Sequence, residues 1–355
     1  MTVLASGSKG NSTVIASART RILVDAGLSC RELLKRMAAS GEDPDELTAI
    51  LITHEHQDHV AGLAVLARRL RIPVFFTEPT HRAWVRMLTP RTTMSYAKWL
   101  EHVQAEKEAR ARVVAGVSMT DRSADPMSEN PDMGHPESRS PESSEDAASA
   151  SLEFSGEANR DFELPVEGEE SCEPEEVRGA VKANPAFLPE VEYFRAGHEF
   201  SIGDIDINPF TIPHDAADPC GFVFHARSQS IRMAVATDLG YIPPNVKQAL
   251  KNVDVLLLES NHDLEMLKDG PYPWSVKQRV LSRVGHLSNL ATAEFLLRDY
   301  DGGAHTIVLG HLSEANNLPE LARLAAEQAI GERLTLLGNR IVLAAQHEPL
   351  EPICL

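Results

Sequence analysis

The chain has 355 residues, 43% of them hydrophobic, and a net charge of −18, which allows one large domain or two smaller ones of ordinary globular composition. No apolar run approaches the ~20 residues of a membrane helix, and Met1-Thr2-Val3-Leu4-Ala5-Ser6-Gly7 lacks the basic-then-apolar order of a signal peptide. The cysteines Cys30, Cys172, Cys220 and Cys354 are far apart and suggest neither a disulfide framework nor a zinc finger, so a reduced, cytoplasmic protein is expected.

Residues 20–24 read as a strand ending at Asp25-Ala26-Gly27. Ser29 then opens a helix with Glu32 three residues later, a capping box, and Gly41 closes it. Residues 49–53 form the next strand and 60–70 a helix with an apolar stripe at Leu63, Leu66, Ala67 and Leu70. Residues 74–76 are a short strand, and 96–120 a charged helical lead-in. Over 121–189 the chain turns to Ser, Pro, Glu, Asp and Gly. Residues 121–182 hold 18 acidic against 5 basic side chains, so −13 of the net charge belongs to this stretch and −5 to the rest. With no apolar period of 2 or 3.6 it cannot offset its ordering entropy, and it reads as disordered. It is either a solvated linker or an acidic tail for a protein partner. Beyond it, strands are expected at 204–212, 221–225, 233–237, 253–259 and 306–309. Helices are expected at 275–284, 289–298 and 319–329, with terminal strands near 334–344. Strands alternating with helices indicate an α/β layered body built from 1–95 and 190–355.

The chemistry is concentrated at strand ends. Thr53-His54-Glu55-His56-Gln57-Asp58-His59 places four candidate metal ligands within six positions, directly after an apolar strand. Packed together without a cation, such groups would be desolvated and unpaired. His214, Asp238 and His311 each follow a strand of their own, where a rigid sheet can present them. Imidazole and carboxylate together suit zinc, with manganese and iron also compatible. Seven ligands exceed the needs of one tetrahedral ion and suit two divalent metal ions.

The order His-x-His-x-Asp-His, then His, Asp and His resembles the metallo-β-lactamase superfamily. That resemblance implies an αββα sandwich, with His54, His56 and His214 on the first metal, Asp58, His59 and His311 on the second, and Asp238 bridging. Asp25 is similar to the family's Asp that orients the His-rich loop, or else caps the region of the Ser29 helix. Gly285-His286-Leu287-Ser288-Asn289 is similar to the Gly-His-Ser-Thr-Thr segment of ribonuclease Z, where the His donates a proton; Lys277 and Arg279 precede it. Glu259, in Leu257-Leu258-Glu259-Ser260-Asn261-His262-Asp263, resembles the acidic motif of the nuclease branches and is placed to orient His286. His262 is as readily a surface residue. Ser6-Gly7-Ser8-Lys9-Gly10-Asn11-Ser12, Ala236-Thr237-Asp238-Leu239-Gly240-Tyr241, Gly270-Pro271-Tyr272-Pro273-Trp274 and Gly310-His311-Leu312-Ser313-Glu314-Ala315-Asn316-Asn317 resemble the YycJ/WalJ-like subfamily. Two departures stand out: the acidic insertion, and a first strand so close to residue 1 that a ragged sheet edge is expected.

The resemblance implies a dinuclear metal-dependent hydrolase, a phosphodiesterase or nuclease acting on DNA rather than RNA, with 5′–3′ exonuclease action in view. A metal-bridging hydroxide would attack phosphorus, with Asp58 and Asp238 holding the metals and His286 as general acid. Asn11, Ser288 and Asn289 are candidate phosphate contacts. Two other readings compete: a thioester hydrolase of glyoxalase II type on the same ligands, and a metal-stabilised, non-catalytic partner-binding module. The remaining histidines, His81, His102, His135, His198, His225, His305 and His347, lack ligand spacing and read as structural or solvated. Arg68, Arg69 and Arg71 read as a solvated helix end.

Overall fold

The computed structural model describes residues 1–89, 184–331 and 338–355; the lead-in at 96–120 and most of the acidic stretch fall outside the described residues. The first sheet has six strands, β1 (Thr2–Ala5), β2 (Ser12–Ala16), β3 (Arg21–Val24), β4 (Ala49–Leu51), β5 (Val74–Phe76) and β6 (Val191–Tyr193), side by side in that order. β1 to β3 are antiparallel and β3 to β6 parallel. The second sheet has seven strands, β7 (Phe200–Ile202), β8 (Ile205–Thr211), β9 (Cys220–Ala226), β10 (Ile231–Ala236), β11 (Val255–Glu259), β12 (Thr306–Gly310) and β13 (Arg340–Leu343), again in chain order. It repeats the plan: a meander through β10, then parallel strands to β13.

Side chains alternate across a strand, so each sheet feeds two apolar layers. Val255 and Leu257 of β11 join Phe222, Phe224 and Val24 between the sheets. Leu256 and Leu258 face the other way, onto Leu296 and Phe295 of α8 (Asn289–Arg298) and Ala322 of α9 (Pro319–Ile330). On the far side, Leu23 and Ile50 pack with Leu33 and Met37 of α1 (Cys30–Ala39), Leu66 of α3 (Leu63–Leu70) and Trp84 of α4 (Glu78–Leu88). Helices therefore cover both outer faces, which is the expected αββα sandwich. β11 and β12, buried along their whole length, read as unbroken apolar runs because both their faces are covered.

Several sequence expectations need correction. The helix expected over 60–70 is two, α2 (Gln57–Val60) and α3. Gly62 separates them, and a Cβ there would overlap the Leu28 carbonyl. The helix at 275–284 ends early as α7 (Trp274–Val280), since the chain turns back so that the His286 N–H donates to the Val280 carbonyl. The edge near residue 1 is not ragged: β1 is buried, the Leu350 N–H donates to Val3 O, and the Ile353 N–H to Met1 O. Residues 184–189, at the end of the stretch expected to be disordered, are among the described residues, and Leu188 is buried in the same apolar layer as Trp84. Helix α4, with Thr77 as its cap and Pro79 in its first turn, was not expected. Nor were the short α5 (Pro244–Ala249) and α6 (Leu264–Asp269). No helix among the described residues is long and apolar enough to cross a membrane.

Candidate metal centre

All seven expected ligands meet beyond the ends of β4, β8, β10 and β12. The parallel pairing of β3 with β4 is continued by the Asp25 N–H, which donates to Leu51 O. This sets Asp25 beside Thr53, whose N–H and Oγ1–H donate to the Asp25 carboxylate at 2.9 and 2.8 Å. In the second sheet, β11 pairs Glu259 with Gly310, one residue before His311. Asp25, Asp238 and His311, each following a strand, take left-handed backbone with φ of 60, 63 and 55°. Asp and His tolerate that region better than most residues do. The turn swings each side chain off the strand line toward the centre.

The potential ligand atoms of His54, His56 and His214 lie within 4.8 Å of one another, as do those of Asp58, His59 and His311. Asp238 reaches both sets: it groups with His54 and His59 and again with His311. The imidazoles share one anchoring scheme. His59 Nδ1 is 2.8 Å from Asp25, His54 Nδ1 3.0 Å from Thr53 Oγ1, His214 Nδ1 3.3 Å from Gly285 O, and His311 Nδ1 2.9 Å from Glu259. Each ring is fixed through Nδ1 and turns Nε2 inward, the usual support of a metal-binding histidine. His56 presents Nδ1 instead, 3.2 Å from His214 Nε2.

These residues fit a cation pair on a physical test. His54 Nε2, His311 Nε2 and Asp238 Oδ2 are buried with no hydrogen-bond partner. Buried polar atoms left unpaired cost about 2–7 kcal/mol each, and the three aim into one nest of nitrogen and carboxylate donors. Charge tells the same story. Burial drives the His54 imidazole well below its ordinary pKa. Burial opposes charge on His59 and His311 too, yet the carboxylates around them, Asp238 foremost, hold both well above the ordinary value. A region that stabilises this much positive charge suits divalent metal.

Asp25 orients His59, while Ser29 caps α1 itself by accepting from the Glu32 N–H; the orienting role is the one its contacts fit. His286 stands beside the cluster, its ring centroid 5.1 Å from that of His214 and 5.0 Å from that of His311. Its Nδ1 lies 2.7 Å from Glu259 Oε1. Glu259 is fully buried and also accepts from the Leu239 N–H at 2.6 Å. Burial works to raise the Glu259 pKa, but His286 and His311 overcome it and hold the carboxyl at about 2.

The candidate phosphate contacts are placed otherwise. Asn289 is buried, its Oδ1 accepting from Ser260 and its amide donating to Asn317. Ser288 caps α8 by accepting from the Ala291 N–H. Asn11 is buried with its amide 3.1 Å from Asp58 Oδ2, so it braces a ligand. His262 is no surface residue: it is buried, and burial lowers its pKa to about 4. Lys277 points back, its Nζ donating to Lys268 O. Of the bland histidines among the described residues, His81 pairs with Tyr193 and His347 with Glu314. Three supporting residues went unread. Thr53 contacts His54 and Asp25, the Ser6 hydroxyl accepts from the His311 N–H, and the Asn261 amide donates to His311 O. Thr53 opens the His-rich motif with a hydroxyl, and Ser6 and Asn261 lie inside motifs whose spacing does not fix their contacts.

Known proteins share this plan. Residues 5–140 match the family model described as Metallo-beta-lactamase superfamily, and residues 169–312 match the Beta-lactamase superfamily domain. The chain belongs to the metallo-β-lactamase superfamily. Within it, the chain is 29% identical over 322 residues to Exodeoxyribonuclease WalJ of Streptococcus pneumoniae serotype 2, covering 91% of this chain and 84% of that one. Exodeoxyribonuclease YycJ of Bacillus anthracis is 28% identical over 331 residues, covering 93% and 89%. The YycJ/WalJ-like resemblance of the motifs therefore extends along the chain. The crystal structure of the metallo-beta-lactamase fold protein YhfI from Bacillus subtilis shares the fold, with a TM-score of 0.53 at 12% identity over 99% of this chain and 98% of that one.

Proposed function

We propose that this protein is a dinuclear metal-dependent phosphodiesterase that degrades DNA from a strand end. The observation that carries the reading is the Glu259–His286 pair, 2.7 Å across, set against a seven-ligand centre. The names of the WalJ and YycJ relatives support DNA as the substrate. In this reading His54, His56 and His214 would hold one cation and Asp58, His59 and His311 the other, with Asp238 within reach of both sets. Zinc suits this mixture of imidazole nitrogen and carboxylate oxygen.

When bound, paired divalent cations acidify a water molecule and polarise a phosphoryl oxygen. The protein supplies the remaining proton chemistry. Glu259 engages the Nδ1 proton of His286 and leaves Nε2 to carry the proton for transfer. His286 gives that proton to the leaving oxygen as the P–O bond breaks. An alkoxide leaving group needs this proton far more than a thiolate does, which favours the phosphodiester over the thioester reading. Asp25, Thr53 and Asn11 keep His59, His54 and Asp58 in place through each turnover.

The test is an assay of the purified protein on end-labelled DNA and RNA with zinc, manganese and iron in turn. Mononucleotide release from DNA is expected; a protein that cleaves no phosphodiester with any of these metals is not this enzyme. His286→Ala should lower turnover by about 10²–10⁴-fold while elemental analysis finds both metals retained. Hydrolysis of a glutathione thioester in preference to bis-p-nitrophenyl phosphate would favour the thioesterase.

A further inference from the structure

Beside the ligand cluster the described structure forms a rim that the hydrolytic reading does not use. Arg279 of α7 is bound through Nε to Asp215 Oδ2 at 2.5 Å, and its side chain stays 58% exposed. Asp215 directly follows His214, so the guanidinium is anchored at the border of the site. The hydrogen bond to Asp215 raises the Arg279 pKa against the opposing effect of burial, with the Asp215 charge and, least, the Asp58 charge adding to it. The bond uses Nε, and the two terminal nitrogens make no protein hydrogen bond among the described residues.

A second pair lies on segments joined to it through the backbone. Tyr241, three residues beyond Asp238, is exposed, and the Arg283 guanidinium lies over its ring at 4.4 Å. The backbone beneath is tightly locked. The Gly240 N–H donates to Pro213 O, a Cβ on Gly240 would overlap the Arg283 carbonyl, and the Asp215 N–H donates to Val284 O. The segments carrying His214, Asp238 and His286 thus interlock, and each carries a rim residue: Asp215 with its Arg279, Tyr241, and Arg283. An exposed arginine with free planar N–H groups matches a phosphate. A tyrosine ring backed by a guanidinium offers a flat, cation-bearing surface for a nucleobase.

We infer that Arg279, Tyr241 and Arg283 grip the nucleotide next to the cleaved phosphate, Arg279 holding its phosphate and the Tyr241–Arg283 pair stacking on its unpaired base. This rests on the phosphodiesterase reading and assigns it a substrate form: a strand whose terminal nucleotides are splayed from a partner. Stacking requires an open base face, so a nucleotide within an intact duplex cannot use the platform.

Equilibrium binding of labelled, cleavage-resistant phosphorothioate oligo(dT), read by fluorescence anisotropy on the metal-loaded protein, tests the grip without requiring catalysis. Tyr241→Ala should weaken binding about tenfold, equivalent to ~1.4 kcal/mol. An abasic oligomer of equal length should lose about as much against the wild type and little more against Tyr241→Ala. Arg279→Ala should weaken binding and reduce the slope of log affinity against log salt by about 0.7, the share of one phosphate contact on a single strand. Arg283→Ala, also exposed, should lie between wild type and Tyr241→Ala. Thermal melts confirm that each variant is folded. Wild-type affinity and salt slope in both Tyr241→Ala and Arg279→Ala would overturn the grip, and tighter binding of oligo(U) than oligo(dT) would overturn its assignment to DNA. Normal oligo(dT) binding with no phosphodiester cleavage would instead overturn the hydrolytic reading alone.

Discussion

Individual residues at the centre act through geometry that a small change can break. Asp25 is buried, holds left-handed backbone and reaches both Thr53 and His59. Asn at this position keeps the backbone preference and an acceptor for the Thr53 N–H, but removes the negative charge from His59. Asp25→Asn should therefore lower metal affinity about 10–100-fold, the usual effect of losing a residue that supports a ligand. Competition with a chelator measures it, and unchanged affinity would mean that the Asp25 charge is irrelevant to the site. The contrast between Asp25 and Asn289 shows how far sequence reading reached. Both are polar residues near a motif. Asp25 has two partners in prospect, the His-rich loop and the Ser29 helix, and its contacts select the first, whereas Asn289 follows His286 in the chain yet turns inward to Ser260 and Asn317. One helical position decides whether a side chain faces substrate or core, and motif spacing does not fix that angle.

Secondary-structure elements set the stability that holds those residues. Helix α4 lays Trp84, 1% exposed, against Phe76, in the same buried layer as Leu188 beneath the first sheet. Trp84→Ala should destabilise the fold by about 3–5 kcal/mol while metal stoichiometry at low temperature stays that of the wild type. Urea denaturation gives the first number and elemental analysis the second; a loss below ~1 kcal/mol would show that the layer collapses around the gap. The ease of reading differed among elements for physical reasons. β11 and β12 were plain because both faces are buried and their residues are continuously apolar. Helix α8 was plain because Ser288 caps it ahead of a periodic stripe. Helix α4 escaped notice because its buried face is sparse, Thr80 and Trp84 amid charged neighbours. β6 and β7 escaped because three residues carry no usable period.

Across the whole molecule, the two sheets are tied at both ends. At one end the metal ligands come from each sheet. At the other, where β3 begins, Ser17 and Thr20 each donate a hydroxyl hydrogen bond of 2.6 Å to Asp204 Oδ1, which lies in the β7–β8 turn of the other sheet. These bonds, Ser17 first and then Thr20, lower the Asp204 pKa below its ordinary 3.8. A carboxyl depressed on folding contributes stability above its unfolded pKa and loses it as pH falls through the folded value. Asp204→Ala should thus melt below the wild type at neutral pH, with the gap narrowing as pH drops beneath the ordinary carboxylate range. A gap of constant size at both pH values would locate the effect in packing rather than charge. Chelation should lower the melting temperature of the metal-loaded protein as well, because ions bound only by the folded state stabilise it by mass action.

The long stretch over 90–183 joins strands that are neighbours. It leaves after α4 and returns to β6, which pairs in parallel with β5 from Val74↔Val191 to Phe76↔Tyr193. A connection of such length adds little closure entropy beyond that of a shorter one, and the covalent link is not what aligns the two strands. The ligands divide cleanly across it, His54, His56, Asp58 and His59 before, His214, Asp238 and His311 after. The protein is thus a natural candidate for a split enzyme. Residues 1–89 and 184–355, produced as separate polypeptides in one cell, should reassemble through the β5–β6 seam and the shared layer between the sheets. Metal-dependent cleavage should return only when both pieces are present, and co-purification of an inactive pair would show that covalent continuity matters to the centre after all.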